Sequence, residues 1–306
     1  MKNKTQQYVI GIDGGGTKTE FALADSKGKI LNLVKGNSSN PRNIGVKKAV
    51  ENIIEGIKRS RGNKKVDLIF IGLPAIEEEY KSQKGIIKKE ILKRLKNFKG
   101  RLIIESDQLV AFRSGTQKKD GIVLISGTGC ASHGWRGKRE VKVSGWGWLA
   151  DEGSGFWTGQ RGLQAVLKDL DERGSKTLIK RMLFEEFGFK NRNDLLSRVY
   201  ADYSTRQISL ISRIVDKAAD RKDKIARSIM EEAGKELAIS VKTVIKKLDF
   251  KDKIFPIVLV GGMFDSRITL NIFKTEVKKI APGTYFLRPK VAPVIGAIKL
   301  AIENLK

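Results

Sequence analysis

Cysteine and histidine are almost absent from this chain of 306 residues, which contains one of each. Cys130 has no second cysteine to pair with, so an internal disulfide is excluded. A structural zinc site needs more cysteine or histidine ligands than Cys130 and His133 supply. Disulfide-stapled domains and zinc-finger domains are therefore excluded as classes.

Long apolar runs are also missing. No stretch reaches the roughly 18 uninterrupted apolar residues of a membrane span, and the N-terminus MKNKTQQYVIG lacks the apolar core of a signal peptide. We therefore expect a soluble, cytoplasmic protein without a membrane partner. With 40% hydrophobic residues the chain can bury a substantial core, and its length favours two lobes over one.

Acidic residues are scarce, since 34 Asp and Glu stand against 60 Lys and Arg, giving a formal net charge of +26. Such a field attracts nucleotides and anionic sugars, and it also favours nucleic acid or membrane surfaces. However, the lysines are spread over predicted helix faces, and no stacked aromatic array or nucleic-acid motif accompanies them. The sequence therefore argues against nucleic acid as a partner, although a basic nucleic-acid-binding or surface-binding protein with a retained nucleotide fold stays an alternative.

The segment 8–23, YVIGIDGGGTKTEFAL, contains the most informative motif. An apolar strand ends at Asp13 and runs into three glycines, where phosphate oxygens can approach bare backbone N–H groups. An alternating apolar pattern follows and predicts a second strand, which excludes a Walker loop and a dinucleotide fingerprint because both need a helix there. A plain glycine hairpin is the alternative interpretation. The residues predicted to bind phosphate are Gly14, Gly15, Gly16, Thr17 and Lys18.

A second strand and turn repeat this arrangement. The apolar run 122–125 leads into Ser126-Gly127-Thr128-Gly129, and a third glycine pair, Gly261-Gly262, ends the strand 257–260. Two strand-turn-strand clamps predict two related lobes, each offering a glycine and threonine turn to one polyphosphate held in the cleft between them.

The order of these three elements resembles the N-acetylglucosamine kinase branch of the BadF/BadG/BcrA/BcrD ATPase family, within the actin-like sugar kinase superfamily. In this resemblance the Asp13 turn is similar to the first phosphate motif, the Gly127 turn to the second, and Gly261-Gly262 to the adenosine motif. Further family-like stretches lie at 38–40, 105–107 and 146–154. The resemblance covers nearly the whole chain.

The resemblance implies an α/β protein with a two-lobe, actin-like (ribonuclease H-like) fold, in which each lobe is a mixed five-stranded sheet with helices. We expect the first lobe at 1–114 and the second at 115–306, with a helical insertion at about 156–250. The last helix is free to pack back on the first lobe. Superfamily lobes often pair, so a homodimer is an open expectation.

The resemblance also implies an ATP-dependent kinase that phosphorylates an amino sugar, with N-acetylglucosamine or glucosamine at the 6-hydroxyl as the favoured substrate. Asp107 is the predicted general base, and its alternative role is to cap a helix beginning at Gln108. Asp13 is predicted to organise Mg²⁺ through water, with a turn-forming aspartate as the alternative. For Lys18 the alternative is an exposed hairpin lysine.

Substrate contacts follow from the same resemblance. Besides Asp107, the sugar contacts are expected at Asn40, Gly127, Thr128 and Asp151. The nucleotide contacts in the second lobe are expected at Thr128, Gly129, Gly261 and Gly262. Asp151 has the alternative role of anchoring its glycine-rich loop. Trp146 and Trp148 could line the sugar pocket or could be simple core residues.

One departure concerns the residues after Asn40, where this chain has Pro41-Arg42-Asn43 in place of aromatic character. Recognition of the N-acetyl group is therefore not carried over, and Arg42 could pair with the acid of a carboxylated sugar such as N-acetylmuramic acid. An ATPase that regulates or activates a partner protein is the other alternative. A lone Cys130 does not supply the iron-sulfur ligands of the dehydratase activators in this family.

Overall fold

The computed structural model describes residues 6–74, 81–201 and 203–305. The chain divides into two compact units. Unit 1 consists of Met1–Lys118 and Arg288–Lys306, and unit 2 consists of Lys119–Leu287. Within the described residues, every helix is too short or too polar to cross a lipid bilayer.

Unit 1 starts with an antiparallel meander, after which helices and strands alternate. Its elements as far as residue 115 are β1 (Tyr8–Asp13), β2 (Lys18–Asp25), β3 (Ile30–Asn37), α1 (Pro41–Ile44), α2 (Val46–Arg61), β4 (Leu68–Leu73), α3 (Lys81–Arg94), β5 (Arg101–Ser106) and α4 (Asp107–Gly115). The sheet has the order β3-β2-β1-β4-β5, with β1 parallel to β4 and β4 parallel to β5. The carboxyl ends of β1, β4 and β5 therefore share one edge of the sheet, called here the carboxyl edge.

Strand β4, with the sequence LIFIGL, is buried along its whole length. Ile69 and Ile71 belong to the core cluster that includes residues of α2 and α3. Leu68 and Phe70 belong to a second cluster with residues of α4 on the opposite face. Because successive side chains of a strand point to opposite faces, an unbroken apolar run is what a strand covered on both sides requires.

Unit 2 repeats the meander and then inserts several helices. Its elements are β6 (Gly121–Ser126), β7 (Cys130–Arg136), β8 (Arg139–Ser144), α5 (Gly155–Leu170), α6 (Leu178–Phe187), α7 (Arg192–Ala201), α8 (Thr205–Asp220), α9 (Lys224–Lys247), β9 (Pro256–Val260), α10 (Arg267–Lys278) and β10 (Tyr285–Leu287). The sheet order is β10-β9-β6-β7-β8, with β6 parallel to β9 and antiparallel to β7. Two five-stranded mixed sheets of matching topology confirm the predicted fold class.

The long helix α9 packs one apolar face into the core of unit 2, as its periodicity predicts. The buried positions along this face are Ile229, Ala233, Leu237, Val241 and Val244. Ile225 is partly buried against the same helices. The face is a packing surface, in agreement with the sequence interpretation.

The last helix, α11 (Pro293–Glu303), belongs to unit 1 and packs against α4 and β1. Gly296 lies close to the backbone of α4. A Cβ atom built on Gly296 would lie 2.1 Å from the carbonyl oxygen of Val110 and 2.7 Å from the N–H nitrogen of Ser114. Both atoms are backbone atoms, so a side chain at this position would push the two helices apart.

We expect Gly296→Ala to destabilise the protein by about 1–3 kcal/mol, since overpacking forces backbone shifts. Gly85→Ala on α3 is the matched control, because a Cβ there meets no atom within 4 Å. The control should be more stable by roughly 0.5–1 kcal/mol through helix propensity alone. Urea unfolding midpoints measure both effects, and equal midpoints for the two variants would contradict the packing described for α11.

Candidate active site

The glycine-rich turn of unit 1 joins β1 to β2 and is fixed from two sides. The N–H of Gly14 donates to the carbonyl of Gly72 on β4 at 2.8 Å. On the other side, the carbonyl of Gly15 accepts from the Ser39 N–H at 3.2 Å and from the Ser38 hydroxyl at 3.1 Å. The rest of the turn is exposed, so an anionic ligand can reach it.

Buried hydroxyl groups hold the loop after β3 against this turn. The Thr19 side chain is fully buried, donates to the carbonyl of Asn37 at 2.7 Å and bonds the Ser39 hydroxyl at 2.8 Å. The Asn52 side chain of α2 donates to the carbonyl of Ser38 at 2.7 Å. The loop therefore has one defined conformation beside the turn.

Asn40, a predicted sugar contact, lies at the end of this loop and caps α1. Its side-chain oxygen accepts from the Arg42 N–H at 2.9 Å. A Cβ atom built on Gly16 would lie 3.8 Å from Asn40 Nδ2 and 3.2 Å from Asn43 Nδ2. The structure thus brings the amide of Asn40 next to the first phosphate turn. Asn43 joins it there, although the sequence interpretation gave Asn43 no role.

The carboxyl edge of unit 1 places Asp13 and Asp107 near each other. Asp13 is the last residue of β1 and pairs in register with Gly72 of β4. Gly72 in turn pairs with Glu105 of β5, and Asp107 follows two residues later. Asp13 thus ends β1 and Asp107 directly follows β5, so the two candidate carboxylates lie on either side of Gly72 near the end of β4.

Burial raises the pKa of Asp13 from 3.8 to about 7, and the negative charges of Asp107 and Glu20 add to the effect. Lys18 acts in the opposite direction, but it does not outweigh them. A cation or a metal-bound phosphate near these carboxylates would restore the ionised form of Asp13. This electrostatic field is suited to a positively charged ligand.

The alternative role of Asp107, capping the helix that follows, is wrong. The cap of α4 is Ser106, whose hydroxyl accepts from the Leu109 N–H at 3.2 Å, and the helix begins at Asp107 and not at Gln108. Asp107 is half-buried in the first turn, where the partial positive charge of a helix N-terminus favours a carboxylate. The general-base role of Asp107 stays a prediction.

Lys18 forms an ion pair with Glu20 at 2.6 Å on the same strand, and its side chain is 60% exposed. Hydrogen bonding to Glu20 raises the pKa of Lys18, so the ammonium is retained at neutral pH. A phosphate contact would require this exposed side chain to change partner. That contact stays a prediction.

The glycine turn of unit 2 is fixed by the start of helix α5. The Gly127 N–H closes the turn on the Gly129 carbonyl at 2.9 Å. The N–H groups of Gly155 and Phe156 donate to the carbonyls of Gly127 and Thr128 at 2.7 and 3.1 Å. The carbonyls of Gly127 and Thr128 thus accept hydrogen bonds from the N-terminus of α5.

Asp151 is buried and its carboxylate holds a loop together. Oδ1 accepts from the N–H groups of Gly145, Trp146 and Gly147 at 3.1, 3.0 and 3.3 Å, and Oδ2 accepts from the Cys130 N–H at 3.1 Å. These four bonds give Asp151 the anchoring role that was the alternative to sugar binding. Burial nevertheless raises its pKa, since the bonds offset only part of that effect. A sugar contact by Asp151 stays a prediction.

The anchored loop presents two tryptophans. Trp146 is 73% exposed and Trp148 is 45% exposed, so the interpretation of these residues as core is wrong. Trp148 packs edge-on against Phe156 with ring centroids 4.8 Å apart. Whether the pair lines a sugar pocket stays a prediction.

The third glycine pair follows β9 and meets the second phosphate turn. Gly261 has φ of +110°, and a Cβ atom on it would lie 2.1 Å from the Ser126 carbonyl oxygen. Only glycine fits at this approach. Gly262 then begins a short 3₁₀ helix, Gly262–Asp265.

Unit 2 contains a cavity of about 250 Å³ where these motifs meet. Gly127, Thr128 and Gly262, all predicted ligand contacts, line it together with helix α8. On α8 the lining residues include Arg206, Ser209 and Arg213. No role was assigned to them from the sequence, although their spacing of three and four residues places them on one helix face and was a usable signal.

The fold and the comparisons with known proteins together define the class of the protein: an ATP-dependent carbohydrate kinase with an actin-like fold. The chain belongs to the BadF/BadG/BcrA/BcrD ATPase family, whose model matches residues 10–301. This finding confirms the family predicted from the three glycine motifs.

Two curated relatives match over most of their length. The N-acetylmuramic acid/N-acetylglucosamine kinase of Clostridium acetobutylicum is 32% identical over 93% of this chain and 92% of its own. The N-acetyl-D-glucosamine kinase of Dictyostelium discoideum is also 32% identical, over 99% of this chain and 100% of its own. Both relatives are sugar kinases, in agreement with the predicted class of enzyme.

Solved structures show the same fold. A Chromobacterium violaceum protein, provisionally assigned as an N-acetylglucosamine kinase, superposes with a TM-score of 0.74 at 23% identity, covering 96% of this chain and 99% of its own. A ROK family glucokinase from Streptomyces griseus, solved with glucose and AMPPNP, gives 0.56 at 16% identity over 96% and 99% of the two chains. At these identities the likeness concerns the fold alone.

The raised pKa of Asp13 predicts a pH-dependent effect on stability in the absence of nucleotide and metal. The folded protein binds this proton more tightly than the unfolded chain, so the stabilisation is present at low pH and is lost as pH rises from 3.8 to about 7. Asp13→Asn removes this loss. Relative to wild type, the variant should therefore gain free energy of unfolding between about pH 5 and about pH 8.

Urea unfolding at the two pH values measures the difference. Asp252→Asn, at an exposed position of unit 2, is the control substitution. A difference between Asp13→Asn and wild type that stays constant with pH would contradict the electrostatic description of the carboxyl edge.

Proposed function

We propose that the protein transfers the terminal phosphoryl group of ATP to an amino sugar, with N-acetylglucosamine or glucosamine as substrate and the 6-hydroxyl as acceptor. The observation that carries this proposal is the carboxyl edge of unit 1. There Asp13, Asp107 and the amide of Asn40 lie beside a glycine turn that an anion can reach. The names of the two curated relatives support the substrate class.

Asp107 is the general base in this proposal. Its carboxylate takes the proton of the sugar hydroxyl while the hydroxyl oxygen attacks the terminal phosphorus of ATP, and ADP leaves with the electrons of the broken P–O bond. Thr17, Lys18 and the backbone at Gly15 and Gly16 bind phosphate oxygens.

Unit 2 supplies the remaining nucleotide contacts in the proposal. Thr128 and Gly129 bind phosphate, and Gly261 and Gly262 let adenosine lie against the backbone. Within the part of the chain that the structure describes, the N–H groups of Thr128 and Gly129 donate to no other residue, which leaves them available to phosphate oxygens. A cytoplasmic location is part of the proposal, because ATP is the phosphoryl donor.

Asp13 fits a role with Mg²⁺. Burial raises its pKa and the neighbouring negative charges of Asp107 and Glu20 add to the effect, so a divalent cation would be favoured there. Among the described residues, no group of three or more His, Cys, Asp or Glu side chains forms a metal site. Mg²⁺ typically takes one or two carboxylates, with phosphate oxygens and water as its other ligands. When bound, it would neutralise charge on the phosphates.

The proposed sugar contacts are not all supported by the same kind of observation. The amide of Asn40 lies beside the first phosphate turn, where a sugar hydroxyl would meet the terminal phosphate. Gly127 and Thr128 remain sugar contacts in the proposal as well. Asp151 is expected to act on the sugar chiefly through the loop that it anchors, because both its oxygens already accept backbone N–H groups.

N-acetylmuramic acid is a second candidate substrate. Arg42 is exposed two residues after Asn40, and its backbone N–H fixes the Asn40 side chain. A guanidinium there could bind the lactyl carboxylate that distinguishes this sugar from N-acetylglucosamine. One curated relative is named as a kinase of both sugars.

We expect Asp107→Asn to lower sugar-dependent ADP release by roughly 10²- to 10⁴-fold, the usual contribution of a general base. Glu105→Gln is the matched control, because this carboxylate lies two residues earlier and pairs with Lys84 at 3.0 Å. ADP release from Mg-ATP is measured with glucosamine, N-acetylglucosamine, N-acetylmuramic acid, glucose and no sugar. Slow ADP release at a rate that is the same with every sugar and without sugar would contradict the proposed kinase activity. It would favour an ATPase that regulates a partner protein.

Arg42→Ala should lower kcat/KM for N-acetylmuramic acid by about tenfold and leave the value for N-acetylglucosamine within about twofold, as expected for one lost charge-assisted contact. Lys48→Ala, at an exposed position early in α2, is the control. The ratio of the two kcat/KM values is the readout. Equal effects of Arg42→Ala on both sugars would remove the carboxylate-binding role.

A further inference from the structure

Helix α8 presents one polar face to the cavity of unit 2. Arg206, Ser209 and Arg213 all line this cavity, together with the second phosphate turn and Gly262. Their spacing of three and four residues places them on one side of a helix with 3.6 residues per turn. This polar face is about two helical turns long. It lies beside the glycine motifs that are predicted to bind the nucleotide.

The direction of α8 across the cavity follows from its contacts. Near its N-terminus, the Ser209 hydroxyl lies 3.4 Å from the Thr128 hydroxyl of the phosphate turn. Towards its C-terminus, the Asp216 side chain lies close enough to Ser266 to interact with it, and Ser266 follows the short helix that begins at Gly262. Arg206 is thus on the phosphate-turn side of the face, and Arg213 is on the adenosine-motif side.

The two arginines are available to a ligand. Within the described residues, no carboxylate forms an ion pair with Arg206 or Arg213, and both side chains are exposed. Several other helical arginines of unit 2 do have such partners, for example Arg198 with Asp194 at 3.0 Å and Arg227 with Glu231 at 2.9 Å. Two guanidinium groups without carboxylate partners add positive charge beside this cavity, which favours an anionic ligand.

The cavity also offers apolar contact. Leu210, between the two arginines on α8, is 36% exposed, and Met263 lines the cavity beside Gly262. A nucleotide has phosphates at one end and an aromatic base at the other, so it would match a cavity that offers both charged and apolar side chains. A guanidinium can bind phosphate with two hydrogen bonds and can also stack on an aromatic ring.

We propose that α8 is a third nucleotide-binding element, in which Arg206 binds the phosphates and Arg213 binds the adenosine end. This inference rests on the proposed function, since it takes the ligand of the cavity to be ATP or ADP. It adds a specific role to the helical insertion, which the glycine motifs alone leave unassigned.

The test compares Arg206→Gln and Arg213→Gln with Lys217→Gln, an exposed α8 residue outside the cavity lining. Affinities for ADP and adenosine are measured by displacement of a fluorescent ADP analogue. Arg206→Gln should weaken ADP by about tenfold and adenosine by less than about twofold, because a charge-assisted bond to phosphate is lost. Arg213→Gln should weaken both ligands by about the same factor, roughly tenfold, and Lys217→Gln neither.

Unchanged ADP affinity in both arginine variants would overturn the inference, and equal weakening of adenosine and ADP by Arg206→Gln would overturn the assigned order. Unfolding midpoints confirm that each variant is folded. The kinase proposal is tested separately on the wild type. If the wild type shows sugar-dependent turnover but both arginine variants bind ADP normally, this inference alone is refuted. If ADP binding depends on the arginines but the wild type shows no sugar-dependent turnover, the kinase proposal alone is refuted.

Discussion

Two carboxylates held near each other at the carboxyl edge of unit 1 impose the main constraint on this site. Asp13 ends β1 and Asp107 follows β5. Burial, with the added repulsion from Asp107 and Glu20, raises the pKa of Asp13 to about 7. The parallel pairing of β1, β4 and β5 maintains this proximity. The core on both faces of the sheet therefore provides the free energy that keeps an unfavourable pair of charges in place.

Each unit fixes its glycine turn by different contacts. In unit 1, Gly14 bonds to β4 and Gly15 bonds to the loop after β3. In unit 2, the first N–H groups of α5 bond the turn carbonyls, and the buried carboxylate of Asp151 holds the adjacent loop. Glycine gives both turns their shape, but the neighbouring elements select one conformation. A turn that its neighbours hold in one conformation presents its backbone donors at a lower entropic cost of binding.

Much of the fold could be predicted from local pattern. The unbroken apolar run of β4 indicates a strand covered on both faces, and the regular apolar positions of α9 lie buried as expected. The capping of α4 could not be predicted reliably, because Ser106 and Asp107 are adjacent and both are common capping residues. Which of the two residues caps the helix depends on where strand β5 ends, and the pairing of β5 with β4 sets that end.

The sequence by itself determined the family, the order of the three glycine motifs and the candidate carboxylates, since these are properties of residue type and spacing. Tertiary structure alone decided that Asp151 bonds four backbone N–H groups, that Trp146 is exposed and that Arg206 and Arg213 line one cavity with Thr128. These relations join residues distant in sequence. Local propensity contains no information on such contacts, because burial and proximity arise only when the elements pack.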